Sequence, residues 1–406
     1  MIVNTCGFID KAKEESINTI VDLAQYKETG NCRALIVTGC MAQKYSQELI
    51  QEIPEIDAVI GTGKVEEIAD IVQKAMAGER VVEVSQPDYL YSHNTPRVLS
   101  TPKYSAYVKI ADGCDNKCCY CVIPELRGSY RSRPLESIVA EVEQLAEGGV
   151  KEIMLIAQDT TRYGLDIYQK YALPELIKQL DVIPGIEWIR LLYCYPTHFT
   201  DELIQEMKAS DKVCHYIDLP IQHAHDSILK TMNRRGTQQD IRALIAKLRD
   251  NLPDIALRTS FIVGLPGETD VEFQELLSFM QDVQFDKVGV FTYSQEEGTP
   301  AAAMDHQVDE DTKLHRQQQA MELQSEISLK KNQQRIGAVL KVLVEGIVPD
   351  NKELFFGRSQ YDAPDVDGKV YFRSADDPQP GDMVLVKITD AFEYDLMGDV
   401  FLEPSK

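Results

Sequence analysis

Six short apolar runs between Tyr104 and about Gln295 place the strongest constraint on how this chain folds. Each run is followed by a loop and a helical pattern, and the runs occupy residues 105–110, 152–157, 188–193, 216–221, 256–263 and 287–293. Strands that alternate with helices in this way form parallel sheets. Six such units are too few to close a barrel of eight. We therefore predict an α/β protein whose middle is a partial, open (βα)6 barrel.

A Cys-x3-Cys-x2-Cys spacing follows the first run, at Cys114, Cys118 and Cys121. A protein-bound iron-sulfur cube normally takes four cysteines, so three thiols on one loop predict a cluster with one iron open to a small molecule. The alternative is zinc, which usually takes four ligands from paired Cys or His units, and no His or second Cys pair lies close by in sequence. Parallel barrels carry their sites at the carboxyl ends of the strands, so we expect the chemistry at this loop.

Polar or glycine-rich residues end three more of the predicted strands. Gln158 and Asp159 end the second, Gln222 ends the fourth, and Phe261 and Gly264 lie where the fifth ends. Glycine lets the backbone approach a ligand closely, and polar side chains at this height can meet the polar groups of a cofactor. These five, together with Tyr120 in the cysteine loop, are the candidate cofactor-binding residues, and we assign no catalytic residue.

Residues 1–85 alternate apolar runs, at 1–3, 34–37 and 57–60, with helical patterns, which predicts a parallel α/β domain. Cys6 and Cys40 each follow one of these runs, so parallel strands deliver both to one edge of the sheet. This placement suits a second metal cluster. Two buried thiols are the alternative, because two ligands alone do not hold a cubic iron-sulfur cluster. The first run is shorter than a usual strand of about five or six residues, so we expect the domain to begin before Met1.

The remaining segments complete a three-domain prediction. Residues 86–103 contain three prolines and no period, and are predicted to be a linker. A polar helix at 308–334 should bridge domains, and after residue 335 four alternating runs, at 339–344, 354–357, 369–372 and 383–388, predict a small antiparallel β-barrel. The predicted domains are 1–85, 104–334 with the bridging helix, and 335–406.

Composition narrows the class of partner. The net charge of −23 repels polyanions, whereas proteins that bind nucleic acid usually show a basic patch. There is no apolar run of about 18 residues and no signal peptide pattern at the start, so we expect a cytoplasmic protein without a membrane partner. Nine cysteines, three of them in one loop, suit ligand or reduced-thiol roles better than a disulfide framework.

Several of these segments resemble the methylthiotransferase family of radical S-adenosylmethionine (SAM) enzymes. They are Asn-Thr-Cys at 4–6, Thr-Gly-Cys-Met-Ala at 38–42, the stretch 112–134 and Gly-Leu-Pro-Gly-Glu-Thr at 264–269. The resemblance implies a SAM-binding 4Fe-4S cluster on Cys114, Cys118 and Cys121, with the aromatic Tyr120 beside the last ligand. It implies an auxiliary 4Fe-4S cluster on Cys6 and Cys40, whose third cysteine would lie before Met1, and a C-terminal TRAM domain.

Within the family, residues 156–166, 219–224, 232–236 and 293–298 are similar to the RimO class. That class modifies an aspartate of ribosomal protein S-twelve, which implies S-twelve or the small ribosomal subunit and an electron-donor protein as partners. The alternatives are the MiaB-like class, which modifies adenosine in transfer RNA, and a non-catalytic, metal-stabilised ribosome-binding module. From residue 336 onward, seven Lys and Arg stand against fourteen Asp and Glu, a net charge of −7. An acidic barrel suits a basic protein better than RNA.

Overall fold

The computed structural model describes residues 1–349 and 351–401. Its first part is a four-stranded parallel sheet in the order β1-β2-β3-β4. The strands are β1 Ile2–Thr5, β2 Ile36–Gly39, β3 Ala58–Ile60 and β4 Val81–Glu83, and the helices are α1 Asp10–Ala24, α2 Tyr26–Thr29, α3 Cys40–Lys44, α4 Ser46–Glu52 and α5 Ile68–Met76. Separate apolar clusters pack on the two faces of the sheet. The predicted parallel domain is present, and the short β4 is a strand that the sequence pattern did not reveal.

Residues 84–104 form no helix or strand and lead to the central barrel. Its strands and a short hairpin are β5 Ser105–Lys109, β6 Ala111–Asp112, β7 Arg131–Ser132, β8 Glu152–Ile156, β9 Trp188–Leu191, β10 Val213–Asp218, β11 Ala256–Val263 and β12 Lys287–Thr292. Six of them form one parallel sheet in the order β12-β11-β10-β9-β8-β5, while β6 and β7 pair only with each other. The edges β5 and β12 do not meet, so the predicted open (βα)6 barrel is confirmed.

Helices cover the convex face of this sheet. The helices of this part of the chain are α6 Ile123–Arg127, α7 Leu135–Glu147, α8 Leu165–Tyr168, α9 Leu173–Asp181, α10 Asp201–Ala209, α11 Asp226–Thr231, α12 Gln238–Asn251, α13 Asp270–Val283 and α14 Glu310–Gln333. Most of the helix-side core comes from α7, α9, α10, α12 and α13. Because side chains alternate along a strand, Ala106 and Val108 of β5 pack in the helix-side core, while Tyr107 packs against the opposite, concave face. None of the described helices is long and apolar enough to cross a membrane.

A closed five-stranded barrel completes the chain, with strands β13 Val339–Ile347, β14 Leu354–Ser359, β15 Val370–Arg373, β16 Met383–Ala391 and β17 Leu396–Val400. All its pairings are antiparallel except β15 with β17, which is parallel. The sequence pattern missed β17, because its residues Leu-Met-Gly-Asp-Val show little alternation of apolar and polar side chains. Position 350, in the turn expected after 344, and residues 402–406 of the predicted last domain lie outside the described residues.

The small barrel packs into the concave face of the large one. Trp188 and Tyr216 of the six-stranded sheet share an apolar cluster with Leu343 and Phe372 of the small barrel. Trp188 is the first residue of β9, so this packing lies toward the amino ends of the strands, at the opposite end from the cysteine loop.

Candidate active site

The cysteine loop runs from β6 to α6 and is anchored by backbone contacts. The Cys114 N–H donates to the Gly128 carbonyl at 3.1 Å. Gly113 has φ +80°, and a Cβ there would lie 2.1 Å from the Ser129 carbonyl oxygen. Only glycine permits this conformation and this close approach, so the loop is fixed directly beside the end of β5.

The three predicted ligand thiols gather on this loop. Burial raises the pKa of Cys114 to about 11 and that of Cys121 to about 12, and the charge of nearby Cys118 adds to both shifts. Iron binds the thiolate form, so binding would release protons from these groups. Soft thiols converging on one loop fit an iron-sulfur cluster. Within residues 1–349 and 351–401, no three His, Cys, Asp or Glu side chains form a site for a single metal ion.

Cys119 has a different environment from its neighbours in the loop. Its side chain is buried in an apolar cluster with Met232, Leu265 and Ala301. Its N–H donates to the Met232 carbonyl at 3.0 Å, and its carbonyl accepts from the Ala301 N–H at 2.9 Å. Cys119 therefore pins the loop to the barrel through packing and backbone hydrogen bonds.

Arg234 is a neighbour of the loop that the sequence interpretation missed. Its Nη1 lies 3.9 Å from Cys118 Sγ, its guanidinium stacks on the Tyr195 ring at 4.4 Å, and its Nη2 donates to the Pro220 carbonyl at 2.5 Å. A cation beside a thiol favours the thiolate. Burial raises the pKa of the adjacent Tyr120 well above its usual value. The only sequence signal was the Arg-Arg-Gly at 234–236, which does not show which loop it faces.

Asp159 is fully buried, and its carboxylate has several hydrogen-bond donors. Oδ2 accepts from Asn116 Nδ2 at 2.8 Å and lies 2.9 Å from His198 Nδ1. Oδ1 accepts from Thr161 Oγ1 at 2.9 Å and from the Arg162 N–H at 3.2 Å. Asn116 belongs to the cysteine loop, so Asp159 ties that loop to the end of β8.

Three other predicted cofactor contacts differ in what they offer. Gln158 Oε1 is buried with no hydrogen-bond partner among the residues that the structure describes. Gln222 has φ +76°, and its backbone bonds to Ser260 and Ile262 of β11. The Phe261 ring is buried in the helix-side core. Gln158 can therefore present a side-chain oxygen to a ligand, whereas Phe261 can present only its backbone.

The glycine turn after β11 is held by a buried acid. Gly264 has φ +78°, and a Cβ there would lie 2.3 Å from Cγ of Lys313. Its N–H donates to Glu268 Oε2 at 2.8 Å, and Arg316 Nη1 donates to Glu268 Oε1 at 3.0 Å. Burial raises the pKa of Glu268 to about 7 although Arg316 opposes the shift. Burial also lowers the pKa of His223 to about 3, so this histidine is neutral at neutral pH.

The structure brings Cys6 and Cys40 to one edge of the first sheet. Thr5 of β1 pairs with Gly39 of β2, and each cysteine is the next residue of its chain segment. A Cβ on Gly7 would lie 3.0 Å from the Cys40 carbonyl carbon, so the two segments touch. The expected shared edge is therefore present, with Cys6 exposed and Cys40 partly buried.

That edge faces the cysteine loop of the barrel. Helix α3, which begins at Cys40, packs on α6, which follows the loop. Thr62 Oγ1 donates to the Leu126 carbonyl at 2.9 Å, and Lys13 Nζ lies 2.8 Å from Glu296 Oε2. The two cysteine sites thus lie on opposite sides of one interface.

Comparison with curated proteins places the chain among known sequences. It is 57% identical to a "Ribosomal protein uS12 methylthiotransferase RimO" of Desulforamulus reducens, over 98% of this chain and 90% of that protein. The chain belongs to the RimO family. Proteins of the same description from Pelotomaculum thermopropionicum and Clostridioides difficile are 54% and 49% identical, each over 99% of this chain and 90% of its relative. The resemblance seen in the sequence motifs is confirmed.

Family models and solved structures agree with the architecture of this RimO-family chain. The radical SAM superfamily model matches residues 108–280, the TRAM domain model matches 336–401, and the model of Uncharacterized protein family UPF0004 matches 1–61. The radical SAM methyltransferase TsrM of Kitasatospora setae, solved with cobalamin and a 4Fe-4S cluster, has a TM-score of 0.55 at 14% identity over 84% of this chain and 68% of that one. At that identity the likeness concerns the fold alone.

Proposed function

We propose that this chain is a radical SAM methylthiotransferase that modifies an aspartate of ribosomal protein uS12, the S-twelve of the sequence prediction. The observation that carries the proposal is the anchored loop of Cys114, Cys118 and Cys121 at the carboxyl end of β5, in a chain of the RimO family. The relatives are named for uS12, and the acidic C-terminal barrel suits a basic partner. We place the reaction in the cytoplasm, with an external electron-donor protein.

Cys114, Cys118 and Cys121 would hold the SAM-binding 4Fe-4S cluster. When bound there, the cluster would supply the electron for reductive cleavage of SAM, the source of the 5'-deoxyadenosyl radical that would remove a hydrogen atom from the substrate. Arg234 offsets negative charge on the Cys118 side, and Asp159 holds Asn116 and thereby the loop. Positioning of this kind is the protein's share of cofactor chemistry.

Gln158 is the strongest candidate for a polar contact with SAM. Its buried Oε1 has no partner in the described parts of the chain, and a buried acceptor without a donor costs free energy. The glycine turn at Gly264 and the left-handed backbone at Gln222 offer close backbone approach. Asp159 would act through the loop, since its carboxylate already accepts several hydrogen bonds.

Cys6 and Cys40 would be ligands of the auxiliary 4Fe-4S cluster, as a source or carrier of the methylthio group. The exposed Cys6 thiol and the closeness of the two segments suit metal binding better than two packing residues. Two thiols are fewer than a cube needs, so further ligands would have to come from elsewhere.

The test is a product analysis with anaerobically reconstituted protein, SAM and reductant. We expect brown protein that releases 5'-deoxyadenosine and adds a methylthio group to a uS12 peptide, read by mass spectrometry at the aspartate. Transfer to adenosine in transfer RNA with an unmodified peptide would instead support the MiaB-like class. Colourless zinc protein that leaves SAM intact would support the binding module.

A further inference from the structure

Two basic side chains lie between the cysteine sites and have few partners. Lys109 ends β5, and by strand alternation it shares the concave face with Tyr107. Arg127 ends α6, which packs on α3, the helix that begins at Cys40. Their side chains remain 24% and 28% exposed, so a ligand can reach both.

One carboxylate serves both cations. Lys109 Nζ lies 3.2 Å from Asp112 Oδ2, and Arg127 Nη1 lies 3.6 Å from the same oxygen. The other Asp112 oxygen accepts from the Gly113 N–H at 2.9 Å. The Tyr91 ring also lies near the ammonium, with its centroid 5.1 Å from Lys109 Nζ. Within the described residues, Asp112 is the only carboxylate within 4.0 Å of either cation.

Most of the donors are therefore unused. An ammonium offers three N–H donors and a guanidinium offers five, yet only the contact from Lys109 to Asp112 is a hydrogen bond within 3.5 Å to an oxygen. Partly buried cations with free donors bind carboxylates strongly, because a charge-assisted hydrogen bond is about twice as strong as a neutral one. The pair is thus built to take one more anion.

We propose that Lys109 and Arg127 receive the carboxylate of the substrate aspartate and so select an acidic side chain. This inference rests on the proposed function and deepens it. Lys109 lies on the strand that leads to Cys114, and Arg127 lies on the helix that packs on α3, where Cys40 begins the helix. A carboxylate held by both lies between the two cysteine sites, where hydrogen removal and sulfur delivery have to meet.

The experiment compares two uS12 peptides, one with the target aspartate and one with asparagine in its place. Their affinities for unreduced, reconstituted protein are measured by fluorescence anisotropy, and methylthio transfer is measured after reduction. The variants are Lys109→Met, which keeps the side-chain length but removes the charge, and Lys109→Arg, which keeps the charge. Lys103→Met, in the exposed turn before β5, is the matched control.

We expect wild-type protein and the control to bind the aspartate peptide about tenfold or more tighter than the asparagine peptide. Lys109→Met should bind both alike, and Lys109→Arg should keep the preference. Release of 5'-deoxyadenosine without peptide should stay unchanged in the control Lys103→Met, and Lys109→Met should keep the iron absorbance of the wild-type protein.

Four outcomes would overturn the inference. The first is an unchanged aspartate preference in Lys109→Met. The second is wild-type protein that treats both peptides alike while still transferring the methylthio group, which leaves the proposed function standing. The third is loss of SAM cleavage and iron absorbance in Lys109→Met together with loss of binding, which would show that Lys109 only supports the loop through Asp112. Wild-type protein that cleaves SAM but modifies neither peptide would refute the proposed substrate, and this inference with it.

Discussion

The two halves of the barrel's concave face are built in opposite ways. At the amino ends of the strands, polar groups are buried and paired with the small barrel. At the carboxyl ends, Gln158 Oε1, His223 Nε2 and Tyr293 Oη are buried without hydrogen-bond partners among the residues that the structure describes, and Tyr193 and Phe291 are exposed. The first half joins two domains, and the second is left open for ligands.

The paired half is organised around Glu152. Arg190 Nε donates to its Oε1 at 3.0 Å, and Arg358 Nη2 of the small barrel donates to its Oε2 at 2.5 Å. Burial alone would raise the pKa of Glu152, but Arg358 and Arg190 lower it to about 2. A buried ion group with this many hydrogen bonds fixes how the two barrels dock, because any other arrangement leaves charges unpaired.

The largest expected effect comes from removing one ligand thiol at the carboxyl-end half of the concave face. Cys118→Ala should abolish release of 5'-deoxyadenosine, because two thiols do not anchor the cluster. Cys119→Ala is the control from the same loop, and it should retain cleavage because Cys119 lies in the apolar cluster. If reconstituted Cys118→Ala released 5'-deoxyadenosine at the wild-type rate, the loop would not be the site of the SAM-binding cluster.

Glu152→Gln should destabilise the amino-end half, where the two barrels are joined by buried ion pairs. Removing the carboxylate leaves Arg190 and Arg358 buried without a counter-charge, which should lower the free energy of unfolding by about 3–5 kcal/mol. Urea unfolding of the metal-free chain measures this. The surface pair of Glu187 with Lys341 is the control, and Glu187→Gln should cost about 0–1 kcal/mol. Equal losses in the two variants would mean that the docking interface does not depend on Glu152.

Lowering the pH should remove the stability that the Glu152 ion pairs contribute. The folded-state pKa of Glu152 is about 2 and its ordinary value is 4.5. Its contribution to stability is therefore fully present above about pH 4.5 and is lost as the pH falls toward 2, on the order of 3 kcal/mol in total. The wild-type chain should lose stability across this window more steeply than Glu152→Gln, measured by urea unfolding at each pH. Parallel pH profiles would contradict the assignment.

The smallest expected effect is in the open half. Gln158→Leu should raise the KM for SAM about tenfold, equivalent to about 1.4 kcal/mol, while leaving the free energy of unfolding nearly unchanged, since the side chain has no internal partner to lose. Steady-state release of 5'-deoxyadenosine gives the KM, and urea unfolding gives the stability. A stability loss without a change in KM would assign Gln158 to the packed structure.

The sequence alone determined the features that depend on local spacing. The recurrence of apolar runs specified the six strands, and a three-cysteine loop directly after the first run had to lie at the carboxyl edge. Cys6 and Cys40 shared an edge for the same reason, since strand direction fixes where the following residue lies. These inferences require only the local order of residues along the chain and the assumption of a parallel sheet.

Tertiary structure decided the contacts between residues far apart in sequence. Arg234 reaches Cys118 across 116 positions, and Arg358 reaches Glu152 across 206. Strand parity turned the Phe261 ring into the helix-side core. No local pattern encodes such pairings, because they follow from how whole domains pack, and packing depends on shape and charge summed over many residues.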